Sequence, residues 1–369
     1  MRTVSKTVIG VDFGTQSARA VLVNAENGEI IYSCRKEYPY NSTPVPAIDC
    51  AENLPCATDY EMTLYELLRN VIPEEYRKTV AGICVDATSL TMVLLAEDGR
   101  ALSELDGWSE AAHARVKLWK YHRAQEKADE ALNLARNLQE PFLGRTGGSI
   151  SCEWMLPKLL EVRDEAPEIY SKIDLAMDLC EFLTFRLTGQ LVRSIGSLSY
   201  KCLWAEDLSF PERTFLNGLR AGFYEEYCHF LRGDVRKPGE CAGMLRSELT
   251  KRWGLPEQIP VATGMLDGHT SLATMGAFEP GDAALIVGTS NVCTVQDRKL
   301  QELKDVCGVA QDGMVIGSCG IDTGQSSTGN MLGWFVEHMA GWQIHREAEE
   351  RKISPHQVLA ERIQKPWEN

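Results

Sequence analysis

The sequence predicts an α/β protein in which strands and helices pack in layers. Three short apolar segments open the chain as consecutive strands, and the hairpin signal Asn27-Gly28 precedes the third. A leucine-rich segment at 59–71 then repeats its apolar residues at helical spacing, and the apolar run 80–85 follows as another strand. Strands followed by alternating helices and strands are typical of layered α/β architectures.

The remaining elements follow from the same periodicities and from turn residues. The opening strands are predicted at 7–14, 18–23 and 29–34. Helices are predicted at 111–137, 154–162, 178–187 and 245–253, with Gly189 closing the third of them. Short strands follow at 261–264 and 283–287. A proline-flanked stretch at 238–260 marks a domain boundary, which gives a first domain at 1–258 and a second at 259–369.

Length, composition and charge exclude several classes of protein. A chain of 369 residues with 44% hydrophobic and 24% charged residues is typical of a globular protein with two or three domains. The formal net charge of −14 argues against a nucleic-acid partner. No apolar run reaches the length of a membrane helix, and no signal peptide is expected, because Asp12 interrupts the first apolar run.

The cysteines indicate a reducing compartment. Twelve of them are scattered along the chain, many within apolar stretches, and no CxxC pair occurs. This pattern supports neither a zinc site nor a disulfide scaffold. The expected location is therefore the cytoplasm.

Three glycine-rich segments at predicted strand ends are candidates for phosphate binding. They are 12–17 (Asp-Phe-Gly-Thr-Gln-Ser), 264–269 (Gly-Met-Leu-Asp-Gly-His) and 288–291 (Gly-Thr-Ser-Asn). Glycine lets a backbone approach a ligand closely, and successive N–H groups beside hydroxyls form an anion site. An aspartate next to such a loop can hold Mg²⁺. Each segment alone is commonplace, but two such loops on opposite sides of a domain boundary suit a phosphate held between domains.

The sequence around Asp267 allows two interpretations. Phosphoryl transfer to an alcohol needs a carboxylate that accepts the hydroxyl proton, and Asp267 lies between two glycines on a turn. Aspartate is equally a favoured helix N-cap, so the residues alone leave a catalytic base and a cap about even. Other nucleotide signatures are missing, since the sequence contains neither GxxxxGK[ST] nor GxGxxG after a strand.

Taken together, the segments resemble those of the FGGY carbohydrate kinases. The segments that carry the resemblance, in family order, are 10–20, 118–122, 147–154, 201–204, 264–269 and 288–290. Several of them resemble the ribulokinases of this family in particular: Trp119-Lys120 followed by His122, the Lys-x-Leu-Trp segment that begins at Lys201, and Gly-Gln-Ser at 324–326. The resemblance covers nearly the whole chain, and the motifs are specific as a set.

The resemblance implies a fold and a set of site residues. The fold is two actin-like, ribonuclease-H-like domains around a cleft, with sugar mostly on the first domain and ATP on the second. The ATP phosphates would be bound by Gly14, Thr15 and Gln16 and by Gly288, Thr289 and Ser290, with Asp12 near Mg²⁺. Asp267 would be the catalytic base. The sugar contacts would be Ser89, Lys201, Asp267 and Asp322.

The resemblance also implies a reaction, with its substrate left open. It is the ATP-dependent phosphorylation of a ketopentose, first of all L-ribulose to L-ribulose 5-phosphate, as in L-arabinose catabolism. Two departures bear on the sugar, because Asp322 stands where the ribulokinase pattern carries Glu, and Tyr121 replaces an Asp. D-ribulose, xylulose and ribitol are therefore alternative substrates. A small-molecule sugar is the expected partner, and a homodimer stays open.

The end of the chain gives a further expectation. No adenosine-binding loop follows the predicted helices at 337–363, so the second domain is expected to be incomplete, with apolar surface uncovered. A non-catalytic sugar binder is therefore a second hypothesis. An actin-like ATPase on the same fold is a third, against which Lys201 and the segment 118–122 count.

Overall fold

The computed structural model describes residues 5–38, 54–288, 291–325 and 327–364. The chain divides into two compact units. Unit 1 comprises residues 1–284 and 294–322, and unit 2 comprises residues 285–293 and 323–369. The predicted boundary near 258 stays a prediction.

Strands and helices alternate along the described residues, which confirms the predicted α/β class. The strands are β1 (Thr7–Phe13), β2 (Ser17–Asn24), β3 (Ile30–Glu37), β4 (Val80–Ala87), β5 (Met92–Leu95), β6 (Leu175–Asp178), β7 (Val192–Ser194), β8 (Asp234–Arg236), β9 (Cys241–Met244), β10 (Pro260–Ala262), β11 (Met265–Leu266), β12 (Ala283–Val287), β13 (Asn291–Asp297), β14 (Gly308–Gln311) and β15 (Cys319–Gln325). The helices are α1 (Ala57–Asn70), α2 (Gln125–Leu138), α3 (Met155–Glu165), α4 (Pro167–Tyr170), α5 (Leu179–Thr188), α6 (Ile195–Lys201), α7 (Arg213–Leu219), α8 (Phe223–Phe230), α9 (Ser247–Trp253), α10 (Asp267–Met275), α11 (Thr328–Met339), α12 (Trp342–Arg351) and α13 (Pro355–Gln364).

A seven-stranded sheet organises unit 1. Its strands lie in the order β3-β2-β1-β4-β10-β9, and β11 pairs with β4 beside this path. Strand β1 is antiparallel to β2 but parallel to β4, and β10 and β11 are also parallel to β4. Alternate residues of β1 are buried (Ile9, Val11 and Phe13), as expected of a strand with one face in the core. The carboxyl ends of β1, β4 and β11 therefore share one edge. A separate four-stranded sheet has the order β12-β13-β15-β14.

One predicted helix is half wrong. The segment 111–137 is helical only from Gln125, in α2, whereas residues 111–124 form turns. Within those turns Lys117 and Met92 exchange backbone hydrogen bonds of 3.1 and 2.8 Å. This long-range pairing overrides the local helix propensity of the segment. The predicted helix end at Gly189 is confirmed, because Gly189 has φ +71° and follows α5 directly.

Tyr200 fixes helix α6 against strands β14 and β15 within unit 1. Its ring is completely buried, and its hydroxyl donates a hydrogen bond of 2.8 Å to the carbonyl of Gly320. A Cβ atom at Gly308 would lie 2.6 Å from the ring, and one at Gly320 would lie 2.5 Å from the hydroxyl oxygen. Only glycine leaves room for Tyr200 at these positions. Because Lys201 follows directly, this packing also sets where Lys201 lies.

Gly320→Ala is expected to destabilise unit 1 by about 1–3 kcal/mol, because the added methyl group overpacks the Tyr200 site. Urea unfolding of the variant and the wild type would measure the change. A control position needs both open space around its Cβ position and an ordinary φ. Gly333 meets both conditions, whereas Gly239 has the space but a φ of +78°. Gly333→Ala, inside helix α11 of unit 2, should therefore not lower the stability of unit 1. Equal stability of the Gly320 variant and the wild type would contradict the packing argument.

Unit 2 contains helices α11 to α13. Its buried cluster is small and consists of Ile344, Ala348 and Val358. Helix α11 exposes several large apolar side chains: Met331, Leu332, Trp334, Phe335 and Met339. Exposed apolar surface of this kind is a liability for solubility or a binding surface. Within the described ranges, no helix has both the length and the apolar character needed to cross a membrane.

Candidate active site

Three aspartates meet at one edge of the seven-stranded sheet. Asp12 in β1 lies beside Asp86 in β4, because these residues are partners in the parallel register. Strand β11 pairs with the end of β4, and Asp267 follows β11 as the first residue of α10. Parallel strands present their carboxyl ends at the same edge of a sheet, where ligand sites form in open α/β sheets. The strand topology therefore brings three carboxylates from distant parts of the sequence together.

Asp86 and Asp12 form a closely spaced pair of carboxyl groups. Burial, together with the charge of Asp12, raises the pKa of Asp86 to about 8. The two side chains are hydrogen-bonded to each other, while Asp86 Oδ1 is buried without a partner among the described residues. Asp12 also pairs with the exposed Arg19 at 3.1 Å. Two carboxyl groups in contact favour either a shared proton or a bound cation.

Asp267 is a carboxyl group poised for proton transfer near neutral pH. Burial raises its pKa to about 6, and the charge of Asp12 acts in the same direction. Opposing this, the backbone N–H groups of Gly268 and Ser89 donate to the carboxylate, and Lys201 stabilises its charge. The Gly268 hydrogen bond is 2.7 Å. The N-cap position of α10 belongs to Leu266, so Asp267 lies one position inside the helix.

Lys201, Asp322 and His269 form a buried ionic cluster in unit 1. Lys201 Nζ lies 3.0 Å from Asp322 Oδ2, and His269 Nε2 lies 3.6 Å from the same oxygen. Burial opposes the Asp322 charge, but Lys201 and His269 hold the pKa of Asp322 well below its usual range. Burial likewise lowers the pKa of Lys201, and Asp322 more than offsets this effect. Both groups are therefore charged at neutral pH.

Ser89 contributes a backbone donor and a hydroxyl group. Its N–H donates to the Asp267 carboxylate, and its Oγ is buried without a hydrogen-bond partner among the residues that the structure describes. A buried polar atom without a partner is unusual in a protein and often marks a place where a ligand or water binds. A donor or acceptor group of a bound ligand would satisfy Ser89 Oγ.

The first predicted phosphate loop is the turn between β1 and β2. Gly14 N–H donates to Ser17 O at 3.1 Å, and Gly14 O accepts a hydrogen bond of 2.9 Å from the hydroxyl of Tyr38. Trp119 Nε1 donates to Thr15 Oγ1 at 3.0 Å, which orients the threonine hydroxyl. The carbonyl of Gln16 accepts from the N–H of Tyr38 at 3.4 Å. The loop is thus held by tertiary contacts as well as by its own hydrogen bond between Gly14 and Ser17.

The second predicted phosphate loop is only partly described. Gly288 directly follows β12 in unit 2, while Thr289 and Ser290 lie outside the described residues. Tyr121, one of the two departures from the ribulokinase pattern, is buried and donates a 3.0 Å hydrogen bond to Glu161. Tyr121 is therefore part of the core.

Sequence reasoning misses two features of the site. His269 belongs to one of the glycine-rich segments, but its contact with Asp322 depends on a residue 53 positions away and has no local signal. Asp86 ends an apolar run, a pattern that leaves a sugar contact and a turn residue as alternatives and does not indicate Asp12 as its neighbour. Its position at the end of a strand parallel to β1 is the signal that could have placed it beside Asp12.

The described residues fit a magnesium ion of the kind that binds with phosphate. They contain no group of three or more His, Cys, Asp or Glu side chains that could hold a metal. Mg²⁺ usually takes one or two carboxylates and completes its shell with water and substrate phosphate oxygens. The Asp12–Asp86 pair, with the unpartnered Oδ1 of Asp86, supplies such a pair of carboxylates.

The chain belongs to the FGGY family of carbohydrate kinases. The profile of the N-terminal domain of this family matches residues 7–274. The chain is 32% identical over 366 residues to a ribulokinase of Halalkalibacterium halodurans and 35% identical over 370 residues to one of Mycolicibacterium smegmatis. These alignments cover 97% and 96% of this chain and 65% of each relative. The chain thus spans about 65% of the length of the curated relatives it matches.

Solved sugar kinase structures confirm the predicted fold. The xylulose kinase of Rhodospirillum rubrum superposes with a TM-score of 0.70 at 20% identity. The glycerol kinase of Plasmodium falciparum, solved with ADP, gives a TM-score of 0.71 at 14% identity. Each alignment covers 94% of this chain and 67% of the solved chain. At this level of identity the likeness establishes the actin-like fold alone.

Proposed function

We propose that this protein phosphorylates a ketopentose with ATP, and that L-ribulose, converted to L-ribulose 5-phosphate, is the first candidate substrate. The observation that carries the proposal is the environment of Asp267. Its carboxyl group accepts the N–H of Ser89, whose hydroxyl has no partner among the described residues, and it interacts with the Asp12–Asp86 pair and with Lys201. The names of the relatives, which are ribulokinases, support a pentose substrate.

In the proposed reaction Asp267 acts as the general base. Its carboxylate accepts the proton of the 5-hydroxyl group, and the hydroxyl oxygen forms a bond to the γ-phosphorus of ATP. The bond between the γ-phosphorus and the bridging oxygen breaks, and ADP leaves with that electron pair. Asp267 then releases its proton to solvent. A pKa near 6 keeps the carboxylate mostly ionised at neutral pH while leaving it basic enough to accept the proton.

The remaining site residues bind and orient the substrates. We assign ketose hydroxyl groups to Ser89 Oγ, Lys201 Nζ and Asp322. The Gly14–Gln16 turn is assigned to the ATP phosphates. The segment Gly288, Thr289 and Ser290 keeps the phosphate-binding assignment that the family resemblance implies. Asp12 and Asp86 would hold Mg²⁺, which neutralises phosphate charge when bound.

The cytoplasm is the proposed compartment. Every described cysteine is a free thiol, from Cys34 to Cys319, which suits a reducing environment. ATP is also the co-substrate of the proposed reaction. Secretion into an oxidising compartment would leave these thiols open to oxidation.

The direct test is ADP release with Mg²⁺-ATP and a panel of L-ribulose, D-ribulose, D-xylulose, L-xylulose and ribitol. Ketose binding is measured in parallel by calorimetry. Turnover that depends on one ketose supports the proposal. Ketose binding without ADP release would favour the non-catalytic sugar binder, and ADP release that ignores the sugar would favour an ATPase.

Asp322→Glu is expected to shift sugar preference toward L-ribulose. Glutamate is one methylene longer, and the ribulokinase pattern carries it at this position. One hydrogen bond gained or lost at a sugar hydroxyl changes discrimination by about tenfold. The ratio of kcat/KM for L-ribulose to that for D-xylulose is the measurement. Asp312→Glu, at a carboxylate paired with the half-exposed Lys237, is the control that should leave the ratio unchanged.

A further inference from the structure

Lys158 is a completely buried lysine in α3 that the proposed reaction does not use. Its ammonium group donates to the backbone carbonyl of Leu90 at 2.8 Å and to that of Leu118 at 2.9 Å. A third, longer contact of 3.4 Å reaches the carbonyl of Lys117. Burial lowers the pKa of Lys158 to about 7. One buried side chain therefore joins two backbone segments that are about 28 residues apart in the sequence.

Asp178 binds the backbone N–H of Leu90, the residue whose carbonyl group accepts from Lys158. Its Oδ2 atom accepts hydrogen bonds from the Leu90 N–H at 2.9 Å and from Ser197 Oγ at 2.8 Å. Leu90 has φ +53°, a left-handed conformation that costs energy for leucine and persists only where surrounding contacts enforce it. Both the N–H and the C=O of this strained residue are thus held by buried ionisable side chains.

Each held segment adjoins a group of the proposed site. Ser89, with its N–H on Asp267, directly precedes the strained residue. Trp119, which donates to Thr15, directly follows the second carbonyl that the buried lysine binds. Lys201 lies one helical turn after the serine of α6 that donates to Asp178. If Lys158 and Asp178 only stabilised the core, their hydrogen bonds would have no reason to fall next to three groups of the proposed site.

We propose that Lys158 and Asp178 form a polar brace that positions the ketose-binding groups, so that they are positioning residues for sugar recognition. This inference rests on the proposed function, because it concerns the same site. The brace acts through the backbone: it holds the Ser89 turn, the Trp119 segment and helix α6 in fixed relation. Loss of either member should loosen these segments and weaken ketose binding more than it weakens the fold as a whole.

The test compares brace variants with a destabilised control from the same helix. The variants are Lys158→Met, Asp178→Ala, Asp178→Asn and Ser197→Ala, and the control is Leu160→Ala, a completely buried apolar residue of α3. The dissociation constant for L-ribulose is measured by calorimetry well below each Tm, and KM and kcat are measured by ADP release.

Lys158→Met and Asp178→Ala are expected to weaken ketose binding by about tenfold or more, since each removes at least two hydrogen bonds of the brace. Asp178→Asn should recover most of the affinity, because its amide oxygen can accept the same two hydrogen bonds. Ser197→Ala, a mild change that should fold, is expected to weaken binding by about two- to fivefold. Leu160→Ala should lower Tm with an unchanged dissociation constant.

Two outcomes overturn the proposal. The first is wild-type ketose affinity in both Lys158→Met and Ser197→Ala at a Tm lowered as in the control. The second is a result of amide hydrogen exchange. This measurement needs no ligand, so it tests the brace even if the wild type binds no ketose and the proposed function fails. Exchange at 88–91 and 117–119 should be faster in the brace variants than in Leu160→Ala, and equal exchange would show that these residues only stabilise the core.

Discussion

Asp267→Asn is expected to lower kcat by about 10²–10⁴-fold while it leaves ketose affinity within a few fold of the wild type. The amide keeps the size of the carboxylate and an oxygen that accepts from the N–H groups of Gly268 and Ser89. It cannot accept the hydroxyl proton. ADP release gives kcat, and calorimetry with the ketose gives the affinity. A variant that retains wild-type turnover would remove Asp267 from the role of base.

The pH profile gives an independent check on the same assignment. A general base works in its deprotonated form, and kcat/KM reports the ionisation of the free enzyme. Wild-type kcat/KM should therefore fall as pH drops below about 6, the pKa of Asp267, approaching a tenfold loss per pH unit. This decrease of kcat/KM at low pH, the acid limb, should be missing from the residual activity of Asp267→Asn. Asp174→Asn, at a surface carboxylate paired with Arg232, should keep both the rate and the limb.

The parts of the fold that could be predicted have local signals. The opening strands alternate apolar residues, and the end of the first strand in that pattern places Asp12 at a sheet edge. Gly189 ends α5 as predicted because a left-handed C-terminal residue is a local requirement. The sequence also places Asp267 on a turn between Gly264 and Gly268, after the strand predicted at 261–264, whereas its role as a base stays a prediction.

The parts that could not be predicted depend on distant residues. Sequence reasoning treats a lysine inside an amphipathic segment as a solvated side chain, because buried lysines are rare. Lys158 is instead buried, and its partner Leu90 lies 68 positions earlier in the chain. The space for Tyr200 requires glycines more than 100 positions later, so no local pattern announces it. The proposed brace and the position of Lys201 both depend on these long-range contacts.

Asp322→Asn is expected to lower the free energy of unfolding more than the other single substitutions that target stability. Lys201 and Asp322 are nearly buried, with 11% and 8% of their side chains exposed. Removing one partner of a buried ion pair leaves the other charge uncompensated and typically costs about 3–5 kcal/mol. We expect the free energy of unfolding at pH 7 to fall by about 3 kcal/mol, the lower end of that range, because the amide still accepts a hydrogen bond. Urea unfolding measures the change.

The double variant Lys201→Met/Asp322→Leu separates stability from sugar recognition. Replacing a whole buried pair by apolar residues is often neutral or stabilising, so the double variant should regain most of the stability that Asp322→Asn loses. It should nevertheless bind ketose far more weakly than the wild type, because two of the three assigned hydroxyl contacts are gone. Asp312→Asn is the matched control: its partner Lys237 is 36% exposed and stays solvated, so the cost should be about 1 kcal/mol or less. Ketose binding by the double variant at wild-type affinity would exclude the ionic cluster from the sugar site and leave it a purely structural pair.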